Sequence, residues 1–400
     1  MPYRPSAFHR LLEPLDRRVL QRAVESHNGN RGVGDGDTAW TCQRHLKALL
    51  FAQFAGLESL RKIEQGLAAK PAALYHLGLR PPSRSTLSDA SAARPAAVFR
   101  DLCAHLMGAL ARRGRAEGTA LVQLLDASPI PLRDGRLTWA EADARVRGLK
   151  LHLLYDPEDD RPVRFDVSSP KRSDIAFART LGLEQGVTYV FDKGYTDYSW
   201  WQDIHDADAV FVTRLKKNAH RREVRPLAVE GDGIRAVQRL KIGHRKPRGG
   251  ATNPLYDTEL REIVVEREDE GKQPLHLITN DHSRPAAEIA ALYRQRWQIE
   301  LVFKWIKQNL KIKTFLGRSE NAVRIQIYVA LIAFMLLRLF KQSHAKSHKA
   351  ALSALLARLK VALLDPFNLS DKAKPPPRPP HKRTPPPQLK LKIANQIHTA

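Results

Sequence analysis

Residues 286–313 read AAEIAALYRQRWQIELVFKWIKQNLKIK, and the fold turns on this stretch. Its apolar residues recur at helical spacing, with Ser283 and Pro285 ahead of it as a helix start. As one helix, Tyr293, Arg296, Glu300, Lys304 and Lys307 follow at steps of three and four and share one face within an arc of roughly 80°. Leu292, Ile299, Val302, Phe303, Ile306 and Leu310 fall on a different sector. The spacing predicts a helix that buries one side and presents a carboxylate among cations on the adjoining side. The competing reading is a surface helix in which Glu300, Lys304 and Lys307 pair as i,i+4 and i,i+7 neighbours.

A chain of 400 residues, 43% of them hydrophobic, predicts two or three domains with a substantial core. Lys and Arg number 66 against 42 Asp and Glu, a net charge of +24, which argues for a polyanionic partner because phosphate neutralisation drives most non-specific nucleic-acid affinity. Cys42 and Cys103 are the only cysteines, so a disulfide framework and a cysteine-rich zinc module are both excluded. Met1–Asn30 has no charged-then-apolar leader, and the longest apolar run, Ile327–Leu337, is too short to span a bilayer and reads as a buried core helix. The expectation is a soluble, cytoplasmic protein with no membrane partner.

Residues 1–118 read as all helix, with Pro81-Pro82 punctuating and Ser83-Arg84-Ser85-Thr86 opening a helix rich in hydroxyls. Helix, turn and a helix with a basic polar start is the pattern of a major-groove reader, with Arg84 as a DNA contact, although small packing bundles share it. Beyond the Gly114–Gly118 linker, Ala120–Leu125 is an apolar run of strand length that ends at Asp126, where sites on open sheets collect. Leu149–Tyr155 and Pro162–Val167 alternate as strands, and Ser173–Leu183 reads as a crossover helix behind a serine cap. Val187–Phe191 is a second buried strand ending in an acid, Asp192, followed by Lys193-Gly194-Tyr195. One strand-terminal aspartate is usually a turn or cap residue; two at matched positions ahead of Glu300 are a site pattern. Ala209–Leu215 is a further strand, 217–274 an inserted β subdomain around the basic His244–Gly250, and His276–Asn280 a return to the sheet. Residues 346–370 read as a C-terminal helical segment. The basic, proline-rich 371–400 is expected to be a disordered tail that adds non-specific DNA affinity.

Tyr293, Arg296, Glu300 and Lys307 reproduce the Y-x2-R-x3-E-x6-K signature of bacterial insertion-sequence transposases of the DDE superfamily, insertion-sequence-4 type. Asp192-x-Gly194-Tyr195, Phe211–Lys216 and Phe51–Arg61 also resemble segments of that family. The resemblance covers most of residues 40–345 and departs from the family at Ala127, where no ligand role is assigned. It implies an RNase H-like α/β catalytic core (119–216 and 275–345) with the inserted β subdomain, behind a helical N-terminal DNA-binding domain (1–118). It further implies that Asp126, Asp192 and Glu300 hold two Mg²⁺ (or Mn²⁺) ions for cleavage and strand transfer at terminal inverted repeats. Tyr293, Arg296, Lys304 and Lys307 would then contact double-stranded DNA, and synapsis of two ends implies a homodimer. The alternatives are a non-catalytic DNA-binding protein and a metal-dependent nuclease on the same scaffold.

Overall fold

Among the described residues, the elements before the first strand are all helices: Ala7–Leu12 (α1), Arg17–Ser26 (α2), Cys42–Ala55 (α3), Leu60–Ala68 (α4), Pro71–Tyr75 (α5), Arg84–Ala93 (α6) and Ala96–Ala111 (α7). Five start as their sequence directs, with Ser6, Asp16, Thr41, Ser59 and Ser83 each accepting a first-turn N–H. Gly56, at φ 73°, closes α3 in the left-handed conformation that glycine adopts without penalty. The computed structural model describes residues 5–34, 36, 38–111, 121–132, 134–143, 146–246, 250–267, 273–310, 315–343 and 351–365. The expected linker at 114–118 and tail at 371–400 lie outside them, as does part of 346–370.

Among the described residues, nine strands form one sheet in the order β3-β2-β1-β4-β5-β9-β8-β7-β6. They are Val122–Pro131 (β1), Gly148–Asp156 (β2), Arg161–Ser168 (β3), Thr188–Phe191 (β4), Val210–Arg214 (β5), Arg221–Leu227 (β6), Ile234–Ile242 (β7), Leu260–Val265 (β8) and Leu275–Thr279 (β9). Strands β1 to β3 are antiparallel, β4 and β5 run parallel to β1, and β9 to β6 continue antiparallel beyond β5. The strands expected as an inserted subdomain therefore extend the central sheet. β9 has two edges to satisfy, and it gives one to β5 and the other to β8.

The later helices are Asp174–Ala178 (α8), Tyr198–Asp206 (α9), Ala286–Gln295 (α10), Trp297–Asn309 (α11), Glu320–Ser343 (α12) and Leu352–Ala362 (α13). One sheet face, with Phe177, Trp200, Trp201 and Phe211, is filled by α8 and α9. Leu124, Val190, Val212 and Leu277 on the other face share a core with α10, α11, α12 and the N-terminal helices. α12 is long and apolar enough to cross a membrane, yet it is buried against α3, α6, α7 and α13, as a core helix should be. Through it, the N-terminal helices join the sheet in a single hydrophobic core.

Three local readings change. The stretch 286–310 is two helices, because at Arg296 the hydrogen bonds tighten to three-residue steps, Arg296 N–H to Tyr293 O and Ile299 N–H to Arg296 O. The expected helix after Ser173 is the five-residue α8, closed where the Thr180 hydroxyl donates to Phe177 O at 2.7 Å. Asp126 lies inside β1 rather than at its end. β4 pairs with β1 only through Leu125, whereas β2 follows β1 on to Pro131. The extra residues include Pro129 and Pro131, which lack an N–H and are tolerated where the strand is paired on one side only.

Candidate active site

Asp126 and Ser128 stand two residues apart on β1 and so project from the same face, toward α11. That face receives Arg296, whose Nη1 is 3.7 Å from Asp126 Oδ2 and whose Nη2 donates to Glu300 Oε1 at 2.5 Å. Farther along α11, Lys307 Nζ donates to Ser128 Oγ at 2.7 Å. Between strand and helix lies an open cavity of about 440 Å³ lined by Asp126, Ser128, Glu300, Lys304 and Lys307, with Phe303 and Gln308 completing its wall. The buried side of α11 is the predicted one, Ile299, Val302, Phe303 and Ile306, and it fixes the direction of the polar side.

Asp192 arrives from the neighbouring strand. The last register pair of β1 and β4 is Leu125 with Phe191, so residues 126 and 192 follow at adjacent positions. The Asp192 carboxylate caps a 3₁₀ turn, accepting the Gly194 N–H at 2.5 Å. A side chain at 194 would put its Cβ 2.8 Å from Asp192 Oδ1, which explains glycine in the Asp-x-Gly spacing. Burial pushes the Asp126 carboxyl up to about 6; the Ala127 N–H and Arg296 oppose the shift, and the negative charges of Glu300 and Asp192 add to it. The phenol of Tyr293 is raised by burial, and Arg296, Arg214 and Asp192 all act on it electrostatically.

Among the described residues, no three His, Cys, Asp or Glu side chains lie close enough together to hold a metal ion. In donor chemistry, Asp126 and Glu300 suit a hard divalent cation: they offer only charged oxygens, and both lie against one cation, the Arg296 guanidinium.

The structure thus brings Asp126, Glu300, Lys304 and Lys307 to one cavity, sets Arg296 against two of its acids and Asp192 within electrostatic reach of Asp126, and buries Tyr293 at 7% exposure instead of on the presented face. Arg84 is elsewhere, exposed at the start of α6, with its backbone N–H on Glu64 of α4 at 3.1 Å. Ser128 was not foreseen. The signal was present in the two-residue period of a strand, which puts position 128 on the face of Asp126.

Comparison with known proteins shows the family. Residues 117–336 match the family model described as "Transposase DDE domain", and residues 4–80 match a domain of unknown function, DUF4372. A putative transposase, y4zB, of Sinorhizobium fredii is 44% identical over 262 residues, covering 64% of this chain and 71% of that protein. A probable transposase for insertion sequence element IS5377 of Geobacillus stearothermophilus is 25% identical over 354 residues, 87% of this chain and 88% of its own. In fold, the piggyBac transposase synaptic complex with hairpin DNA aligns with a TM-score of 0.52 at 7% identity, over 90% of this chain and 80% of that one.

Proposed function

The chain belongs to the DDE-domain transposases of bacterial insertion sequences, enzymes of DNA cleavage and strand transfer, and from that premise we propose that Asp126, Asp192 and Glu300 are its catalytic acids in cut-and-paste transposition. The observation that carries this reading is that Arg296 spans Asp126 of β1 and Glu300 of α11, while Asp192 follows β4 at the position adjacent to Asp126. The strand order β3-β2-β1-β4-β5, with three antiparallel strands followed by two parallel ones, supports an RNase H-like core for residues 119–216 and 275–345.

The acids would hold Mg²⁺ or Mn²⁺, two ions by the family's chemistry, which supply Lewis acidity to the phosphoryl group and an activated attacking oxygen. Lys304 and Lys307, at the cavity mouth, bind the phosphates of the transposon end. Arg296 is held by Asp126 and Glu300 and turns to phosphate when DNA enters, and Tyr293 supports it from below. Residues 1–118 read the terminal inverted repeats through Arg84 and the start of α6, while the catalytic domain binds phosphates and the tail adds non-specific affinity. A homodimer holds two ends together in the bacterial cytoplasm. A plain nuclease is disfavoured because Tyr293 and Arg296 are superfluous for hydrolysis alone.

The test is cleavage and gel-shift on end duplexes in Mg²⁺. Asp126→Asn, Asp192→Asn and Glu300→Gln should each abolish cleavage while retaining end binding. Near wild-type cleavage by any one of them removes that residue from the site.

A further inference from the structure

One line of residues crosses the sheet and changes chemistry partway. Successive register partners are Leu124 on β1, Val190 on β4, Val212 on β5, Thr279 on β9, Arg261 on β8, Arg239 on β7 and Arg225 on β6. Directly paired residues point to the same side, so this is a single row on the face that also carries Asp126, two residues along β1 from Leu124. Its first three members are buried and apolar. Its last three are arginines of increasing exposure, from half-buried Arg261 through Arg239 at 43% to Arg225 at 69%.

Like charges directly opposite on neighbouring strands destabilise a sheet. Here the compensation among the described residues is thin. Glu259 lies 3.2 Å from Arg239 and 4.0 Å from Arg225, Glu223 acts on Arg225 at longer range, and Arg261 donates to the Arg284 carbonyl. Lys241, two residues from Arg239 on the same strand, pairs with Glu223 at 3.0 Å. Three guanidinium groups in register with one shared carboxylate make a surface that is completed by a polyanion. Planar guanidinium forks match phosphate oxygens in pairs.

We infer that the Arg225–Arg239–Arg261 row is a second contact surface for the phosphodiester backbone of duplex DNA, separate from the cavity at Asp126. This rests on the transposase reading and adds to it a place where the duplex is held. At about 4.8 Å per strand, Arg261 stands about 19 Å and Arg225 about 29 Å across the sheet from β1. Those spans correspond to roughly 6 to 9 base pairs of duplex at about 3.4 Å each. The row therefore engages DNA a short way from the point of cleavage.

The experiment is end-duplex binding across a salt series for wild type and for Arg225→Gln/Arg239→Gln, with thermal melting of both. Removing opposed charges should leave the melting temperature no lower, while the slope of log affinity against log salt falls by about two. Neutral methylphosphonate linkages placed about 6 to 9 base pairs from the cleavage point, on each side in turn, should weaken wild type on one side and leave the variant indifferent. If the double variant misfolds, Arg225→Gln alone should lower the slope by about one. A wild-type slope in the variants, with normal DNA binding by wild type, overturns the arginine row and leaves the transposase reading standing; wild type that fails to bind DNA overturns both.

Discussion

Asp126→Asn should make the protein more stable at pH 8 while removing its activity. The folded Asp126 carboxyl is pushed up to about 6 from an ordinary 3.8. A shift of about two units at about 1.4 kcal/mol each means that the ionised acid opposes folding by about 3 kcal/mol. The asparagine variant escapes this but gives up the contact with Arg296 at 3.7 Å. That contact joins two largely buried side chains and already opposes the shift to about 6, so the net gain stays at about 3 kcal/mol. The sign follows from proton uptake: the folded state holds this proton more tightly, so its stability is full below about pH 4 and is lost as pH rises through about 6. Urea unfolding followed by tryptophan fluorescence at pH 4.5, 6 and 8 should show the gap between variant and wild type opening over that window and then levelling. Adding Mg²⁺ at pH 8 should narrow it by stabilising wild type alone. A variant less stable than wild type at pH 8, or a gain that does not change with pH, refutes the reasoning that a buried, mutually repelling acid cluster is what Asp126 belongs to.

Two further outcomes follow from the same site. Arg296→Ala and Lys307→Ala should each weaken end binding and lower the salt slope by about one, read by fluorescence anisotropy; slopes equal to wild type would reduce both to pairing partners worth a few tenths of a kcal/mol. Gly194→Ala should cut cleavage at least tenfold with end binding within twofold, because its Cβ would meet the Asp192 carboxylate at 2.8 Å; unimpaired cleavage would mean that the Asp192 carboxylate can move without consequence.

The sequence alone determined whatever depends on local periodicity and short spacing. Strand-length apolar runs located β1, β4 and β5, the run from Ser83 located the start of α6, and the apolar sector of residues 292–310 identified the buried side of α10 and α11. The family was legible as a resemblance, in the spacing of Tyr293, Arg296, Glu300 and Lys307 with Asp126 and Asp192 upstream.

Tertiary structure decided what depends on partners distant in sequence. Where β1 stops is set by β2 pairing beyond Asp126, which no property of Leu121–Asp126 encodes. The strands at 217–274 join the main sheet because β9 offers them a free edge, and that offer exists only once β9 has docked on β5. Likewise, Arg296 bridges Asp126 and Glu300, Lys307 reaches Ser128, and three arginines from β6, β7 and β8 fall into register, although 170 residues separate Asp126 from Arg296 in the chain. Hydrogen bonding within a helix or turn is fixed by neighbours a few residues away, whereas the pairing of strand edges and the meeting of side chains across a cavity are fixed by the fold as a whole, and only there do these charges acquire their partners.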